Sequence, residues 1–399
     1  MYRSLAGVAV AAILSAQTFS EVDISAVTQN LTTGAQQNWE LGTRAHSLLD
    51  LYAPHFSVFS PTGLPLLASV HPTRPLESRQ WDPASIGVAV LLANWTGQGA
   101  GDGMDYTMAA QSQLEYTLNV VPRTGDGAIS HRVAQVQLWC IRATLFMVPP
   151  FLTYYGALTE NTALSNEAYN QIKLYRNYLR DTDANNLWKH IVLGTNPHDV
   201  GNDESHWSTG NGWAVAGMLR VIATMKYSPY DKGFSSQQQD LANWVNEIHT
   251  ALFANIDSTN IFTNYADQPI TNTGITVYRA ALLINDTSHL ANAGKCRQAL
   301  FALSTEPLAS RDSLTKLVHF TDDGWLTPAV NAHQFGIQGN NSAEGEAFVL
   351  ELQAACNEWV ASASRSPQAQ VSANSARRTV AGWALVAGCV VIGCTSLYA

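Results

Sequence analysis

Apolar residues recur at helical spacing in segment after segment of this chain, while strand-like alternation is sparse. Ala134 to Tyr155, Ala168 to Arg180, Trp213 to Lys226, Gln237 to Ala254, Thr276 to Ile284, His289 to Ser304 and Ala347 to Ser362 each place apolar side chains on one face. Loops rich in Gly, Asn, Asp and Pro separate them, such as Gly194 to Gly212 and Thr321 to Asn341. So many helices without an internal linker can form a bundle, a solenoid or a closed ring of hairpins. No period of a known solenoid repeat is present. A closed α/α toroid fits better, because about 12 helices would each take about 29 residues with their loops. In such a ring, long loops at one end hold the site and aromatic side chains line the cavity. The 11 Trp and 14 Tyr suit that arrangement, since flat aromatic faces pack on sugar rings; core packing uses them as well.

The two ends differ from this body. Arg3 followed by the apolar run Leu5 to Leu14, then Thr18 and Ser20 as small residues, predicts a signal peptide over 1–20 with a cut before Glu21. The run is too short to span a bilayer, which takes about 20 residues. Residues 21–360 form the folded domain, and 361–378, rich in Ser, Ala and Gln, read as a flexible stalk. The tail over 379–399 carries no charge from Val380 to Ala399, whereas a transmembrane helix usually keeps basic residues on its cytoplasmic side. The expectation is a lipid-anchor signal whose tail is removed, with Ser362, Ser364 or Asn374 as the attachment site; a single-pass helix is the alternative. The protein is thus expected in the secretory pathway and at the outer face of the plasma membrane or cell wall.

Export makes the sequons at Asn30, Asn94, Asn285 and Asn340 usable for glycosylation. Cys389 and Cys394 would leave with the tail, so Cys140, Cys296 and Cys356 remain, with a Cys296–Cys356 bridge and a free, buried Cys140 expected. A formal net charge of −9 argues against nucleic acid or an anionic membrane surface as partner. It also disfavours a polyanionic ligand without a local basic pocket.

Chemistry concentrates in one stretch. Trp188, Lys189 and His190 are followed by His198, Asp199, Asp203, Glu204 and His206, then by Trp207-Ser-Thr-Gly-Asn-Gly-Trp213, which enters a helix beginning near Trp213. Glycines there let backbone approach a ligand, Asn211 can donate and accept, and helix-start amides favour an anionic group. An N-capping loop with packed Trp is the bland reading. His131 and His190 lie beside aromatic residues, where a histidine is more often structural than catalytic. No metal spacing, phosphate loop, dinucleotide fingerprint or G-x-S-x-G elbow occurs, so neither metal nor cofactor is expected.

The segments Ala128-Ile-Ser-His131-Arg132, Leu145-Phe-Met-Val-Pro-Pro-Phe-Leu152, Leu187-Trp-Lys-His190, Trp207 to Trp213 and Ser342-Ala-Glu-Gly-Glu-Ala-Phe348 occur in that order. Together they resemble the six-hairpin glycosidases of glycoside hydrolase families 88 and 105, the unsaturated uronyl and rhamnogalacturonyl hydrolases, including their secreted fungal relatives. The resemblance spans nearly the whole body and implies an all-α fold, the (α/α)6 barrel. It also implies protonation of the C4=C5 double bond of an unsaturated uronic sugar, with water adding at C5, by one carboxyl group acting as acid and then base. On the matching positions, His131, His190, Trp207, Thr209, Asn211 and Trp213 would shape the sugar site. Two departures stand out. The family's acid, four residues before the matching Met, falls on Ala143, and the cation expected to meet the uronate falls on Thr209. Arg142, beside the vacant position, cannot serve as an acid. Asp82, Asp199, Asp203 and Glu204 are the candidate substitutes.

Three readings follow: a cell-surface carbohydrate-binding homologue without the family's chemistry, an active glycoside hydrolase using a substitute carboxylate on a plant or cell-wall oligosaccharide, or a surface protein for protein contacts. An oligosaccharide or polysaccharide is the expected partner in the first two.

Overall fold

Six inner helices close on one another around an axis, and this ring follows from which helix faces are apolar. The computed structural model describes residues 19–62, 83–97, 103, 105–133, 135–140, 145–195, 201–268, 277–304, 317–331 and 334–364. Among them lie eleven α-helices: α1 (Glu21–Gly34), α2 (Asn38–Tyr52), α3 (Pro83–Thr96), α4 (Tyr106–Asn119), α5 (Val148–Leu158), α6 (Thr162–Leu179), α7 (Ser208–Tyr227), α8 (Ser235–Ala254), α9 (Val277–Ile284), α10 (Leu290–Leu300) and α11 (Ala343–Ser364). Packing runs α2–α3–α5–α7–α9–α11 and back to α2. Outside it, α4 packs on α3, α6 on α5, α8 on α7 and α10 on α9, while α1 covers α11. This is the expected (α/α)6 toroid. Helix α7 is buried nearly all round: every residue from Ser208 to Met225 is buried except Thr209 and Gly212.

Small residues let the inner helices approach. A Cβ on Gly42 of α2 would lie 2.6 Å from the backbone carbon of Ser85 in α3, and one on Gly87 of α3 would meet the Phe151 ring of α5 at 2.3 Å. On Gly217 of α7 it would lie 2.1 Å from the Leu145 carbonyl oxygen. Those gaps are below any allowed contact, so these glycines set the interhelix distance.

Polar residues then decide where helices start. Ser20 caps α1 in a reciprocal capping box with Asp23. Phe19, just before it, is buried and stacks on Phe301 with ring centroids 4.4 Å apart. A leader cut before Glu21 would remove both. The helix expected over Ala134 to Tyr155 is shorter: Pro149 and Pro150 fit only a first turn, so α5 starts at Val148. The residues before it give β1 (Leu138–Trp139). Conversely α7 begins at Ser208 rather than near Trp213, and α11 runs through Ser362 to Ser364, into the segment read as stalk.

Three two-stranded antiparallel ladders lace the connections. β1 pairs with β4 (Ile191–Val192), β2 (Arg180–Asp181) pairs with β3 (Leu187–Trp188), and β5 (Ala329–Asn331) pairs with β6 (Gln334–Gly339) inside the expected Thr321–Asn341 loop.

At the axis the core is charged. Arg220 of α7 donates to Glu351 of α11 at 2.8 Å and to Asp50 of α2 at 3.2 Å. Arg279 of α9 lies 3.8 Å from Asp50 and pairs with Glu358 of α11. Phe59 takes both guanidinium groups on its ring, at 5.1 and 4.3 Å from its centroid.

The expected Cys296–Cys356 bridge is not made: both are buried free thiols, as is Cys140. Cys296, on α10, belongs to the main apolar cluster, and Cys356, on α11, to the second one beneath α1. Among the described residues no helix is long and apolar enough to cross a membrane. Residues 1–18 of the expected leader, Asn374 and the tail over 379–399 lie outside the described residues, as do Asp82, Ala143, His198 and Asp199. Of the sequon residues, Asn285 and Asn340 are exposed; Asn30 is half-buried and donates from its amide to the Asp323 carbonyl at 3.0 Å, and Asn94 is half-buried within α3.

Candidate active site

The connections before α5, between α6 and α7, and after α8 meet at one end of the ring. Trp213, in the second turn of α7, packs edge-on against Phe146 just before α5 and against Phe348 in the second turn of α11, both at 4.5 Å between centroids. Helices α5, α7 and α11 therefore begin at the same end. The backbone of His190 donates to the Ser205 carbonyl, Cys140 donates to the His190 carbonyl, and Ser208 donates to the Asn264 carbonyl. These bonds tie the three connections into one layer over the ring.

The expected site residues come together here, but they divide into floor and opening. His190, Trp207, Asn211 and Trp213 are buried. Asn211 is spent as a bracket: its Oδ1 accepts from Trp188 N at 2.9 Å, and its Nδ2 donates to the Trp188 and Trp207 carbonyls at 3.0 and 3.1 Å. Trp207 donates through Nε1 to Asn264 Oδ1 at 2.7 Å, and its ring lies 5.0 Å from that of His190. These four side chains are packed around the helix start.

The opening is formed by others. His131 keeps some exposure and stacks on Trp139 at 4.3 Å, and the Arg132 guanidinium lies 4.8 Å from the same indole. Thr209 and Gly212 are the partly exposed positions of the first turns of α7, and a Cβ on Gly212 would meet nothing within 4 Å. Gly212 borders open space, and Thr209, three residues earlier, is partly exposed. Trp213 Nε1 and Ser208 Oγ, buried in these same turns, make no hydrogen bond.

Two of the substitute carboxylates can be judged. Asp203 Oδ2 accepts from His190 Nδ1 and from Tyr265 Oη, each at 2.7 Å, and Oδ1 accepts from Ser205 N at 3.1 Å. Burial alone would push its carboxyl up, but the bonds from His190 and Tyr265, with the His190 charge, outweigh it and bring the pKa down to about 2. Asp203 is a fixed anion and holds no proton to give. Glu204 is exposed and bound to Lys189 Nζ at 2.6 Å, in an ion pair that Asp181 approaches at 4.0 Å. His206 donates from Nδ1 to Asp267 at 2.7 Å, with Asp181 3.4 Å from Nε2. Among the described residues no group of three His, Cys, Asp or Glu could hold a metal ion.

Tyr265 and Trp139 complete this layer without having been singled out in the sequence. Tyr265 sits in a connection with no apolar period to flag it.

The profile of Glycosyl Hydrolase Family 88 matches residues 70–276 of this chain. A glycoside hydrolase of family 105 from C. acetobutylicum ATCC 824 superposes with a TM-score of 0.61 at 16% identity, covering 86% of this chain and 100% of its own. A possible member of the GH105 family from Klebsiella pneumoniae gives 0.61 at 16%, over 86% and 94%. A similar protein from Salmonella enterica gives 0.59 at 16%, over 86% and 96%. At such identity these likenesses speak for the fold. No curated protein matches the sequence.

Proposed function

Because the chain belongs to glycosyl hydrolase family 88, we propose that it is a sugar-binding member of that family which has given up the family's chemistry. One observation carries this reading: the carboxylates described at the opening are already committed, Asp203 as an anion under His190 and Tyr265, and Glu204 to Lys189. The position where the resemblance places the acid is Ala143. Vinyl-ether hydration needs a protonated carboxyl, and a group titrating near 2 is ionised at any physiological pH. What remains is a polar opening over an aromatic floor, which supports binding an oligosaccharide.

Purified protein incubated with unsaturated rhamnogalacturonan disaccharide tests this. We expect binding without sugar release, and turnover gained when Ala143→Asp is combined with Thr209→Arg. Release by the unaltered protein would sink the reading. Loss of that release in Asp82→Asn or Asp199→Asn would then identify the acid.

The uncharged tail supports display at the outer cell surface through a lipid anchor, with a leader cut upstream of Phe19 so that the apolar contact and helix cap survive. Release from intact cells by a phosphatidylinositol-specific phospholipase is the expected result. Retention after that treatment would favour a transmembrane helix.

A further inference from the structure

We propose that Gly212 is the position on which the ligand seats: with no side chain there, a sugar ring lies directly against the backbone of α7 at the mouth of the ring. The proposal rests on the binding reading above and adds the residue that decides how closely a sugar can enter.

Helix α7 presents one stripe to the interior. Trp213 packs edge-on against Phe146 and Phe348, and seven residues on, Arg220 bonds to Asp50 of α2 and Glu351 of α11. At 3.6 residues per turn, Thr209, Gly212, Trp213, Ala216 and Arg220 fall within about 100° of one another, so all five share that inward stripe. The stripe is closed below and open above. Trp213, Ala216 and Arg220 are buried, whereas Thr209 and Gly212 keep partial exposure. The opening therefore reaches α7 at these two positions and stops at Trp213.

Glycine in a helix interior weakens the helix relative to alanine, so it persists where a strained backbone, a close neighbour or a ligand requires it. The backbone makes no such demand at Gly212: the described glycines with positive φ are Gly97, Gly103, Gly127 and Gly324. Packing makes none either. Gly42, Gly87 and Gly217 sit where a Cβ would strike a neighbouring helix or its connection, but at Gly212 a Cβ meets no described residue within 4 Å. Gly294 of α10 has equally empty surroundings, yet it is buried outside the ring, so emptiness alone makes no site. Gly212 combines that space with exposure and a place beside the buried Trp213. Close approach of a ligand is the remaining requirement. The C–H groups of a pyranose ring can pack on the bare Cα, and the Thr209 hydroxyl, one turn up the same stripe, can donate to or accept from a ring substituent. A methyl group at position 212 would hold the sugar away from both.

Titration calorimetry of the full chain with unsaturated rhamnogalacturonan disaccharide, paired with thermal unfolding, tests this. Gly212→Ala should unfold about 1–2 °C higher than the parent, because alanine favours helix and its methyl group meets no neighbour. The same variant should bind the disaccharide at least about tenfold more weakly, and Gly212→Val should fold but bind at least about a hundredfold more weakly. Gly294→Ala is the control and should keep the parental affinity. Folded Gly212→Ala and Gly212→Val that both bind within about twofold of the parent overturn the proposal alone. So does a Gly212→Ala that unfolds below the parent, since the fold itself would then use the glycine. An equal loss of affinity in Gly294→Ala would assign the effect to helix stiffening and overturn it as well. Absence of binding by the unaltered protein overturns it together with the binding reading beneath it.

Discussion

Two carboxyl groups, less than a helix turn from apolar neighbours, are driven in opposite directions by what they touch. Asp203 gains two donors and a backbone N–H and is held at about 2; Glu346 gains burial, a single N–H from Leu326 and the charge of Asp323, and rises to about 8. Linkage gives each a pH window with its own sign. Asp203 has a depressed folded pKa, so its stabilisation is present above the unfolded value of about 3.9 and is lost as pH falls toward 2. Asp203→Asn should therefore cost about 1–2 kcal/mol at pH 6 and little near pH 2, read by urea unfolding across pH. Glu346 behaves the other way. Between about 4.3 and 8 the unfolded chain releases its proton while the folded chain keeps it, so stability falls as pH rises through that window. Glu346→Gln keeps the Leu326 bond and removes the titration; it should unfold a few degrees higher than the parent at pH 8 and equally at pH 4. A parent stability that does not decline from pH 5 to pH 8 relative to the variant would show that Glu346 is ionised in the fold.

Helices are the scale at which glycine and proline act. Adding a methyl group at Gly217 forces α7 off the Leu145 carbonyl, and backbone cannot swing aside as a side chain can. Gly217→Ala should cost about 1–3 kcal/mol and loosen the Trp213–Phe146 contact, seen as a lowered unfolding midpoint and altered indole fluorescence. Much of this scale was legible in the sequence. The segments from Ala168 onward show a single apolar face and match α6 and α8 to α11 closely. The misses have physical causes. Inner helix α3 reads Ser-Ile-Gly-Val-Ala-Val-Leu-Leu and is apolar on all sides, so periodicity gives it no face. The start of α7 is hidden because Gly210 and Gly212 look like loop residues, although burial from Ser208 onward overrides their weak propensity. Pro149 and Pro150 suit a first turn rather than a mid-helix pair, which sets the start of α5. The site was legible as a stretch, not as roles: spacing placed Asn211 and the two Trp together, but only packing shows that they face inward and that Thr209 and Gly212 face the opening.

Closure of the ring rests on a charged centre reached from four of its six inner helices. Arg220, Asp50, Glu351 and Arg279 come from α7, α2, α11 and α9, so no two of these charges share a helix. Burying them is costly, and a well-packed apolar centre of the same shape would be at least as stable. What the ions add is a fixed relation between distant helices, since an Arg bonded to carboxylates on two others tolerates little rotation or sliding. Burial pushes the Glu351 carboxyl up despite the nearby Arg220 charge. Arg220→Met would strand Asp50 and Glu351 in the core at a cost of about 3–5 kcal/mol, whereas adding Asp50→Leu and Glu351→Leu to it should return most of that stability. The two variants separate stability from registration. If the cluster holds α7 and α11 in the relation that shapes the opening at their first turns, the triple variant will fold as firmly as the parent yet bind unsaturated rhamnogalacturonan disaccharide more weakly. Unchanged sugar affinity in that variant would mean that apolar packing around Trp213 and Phe348 sets the register unaided.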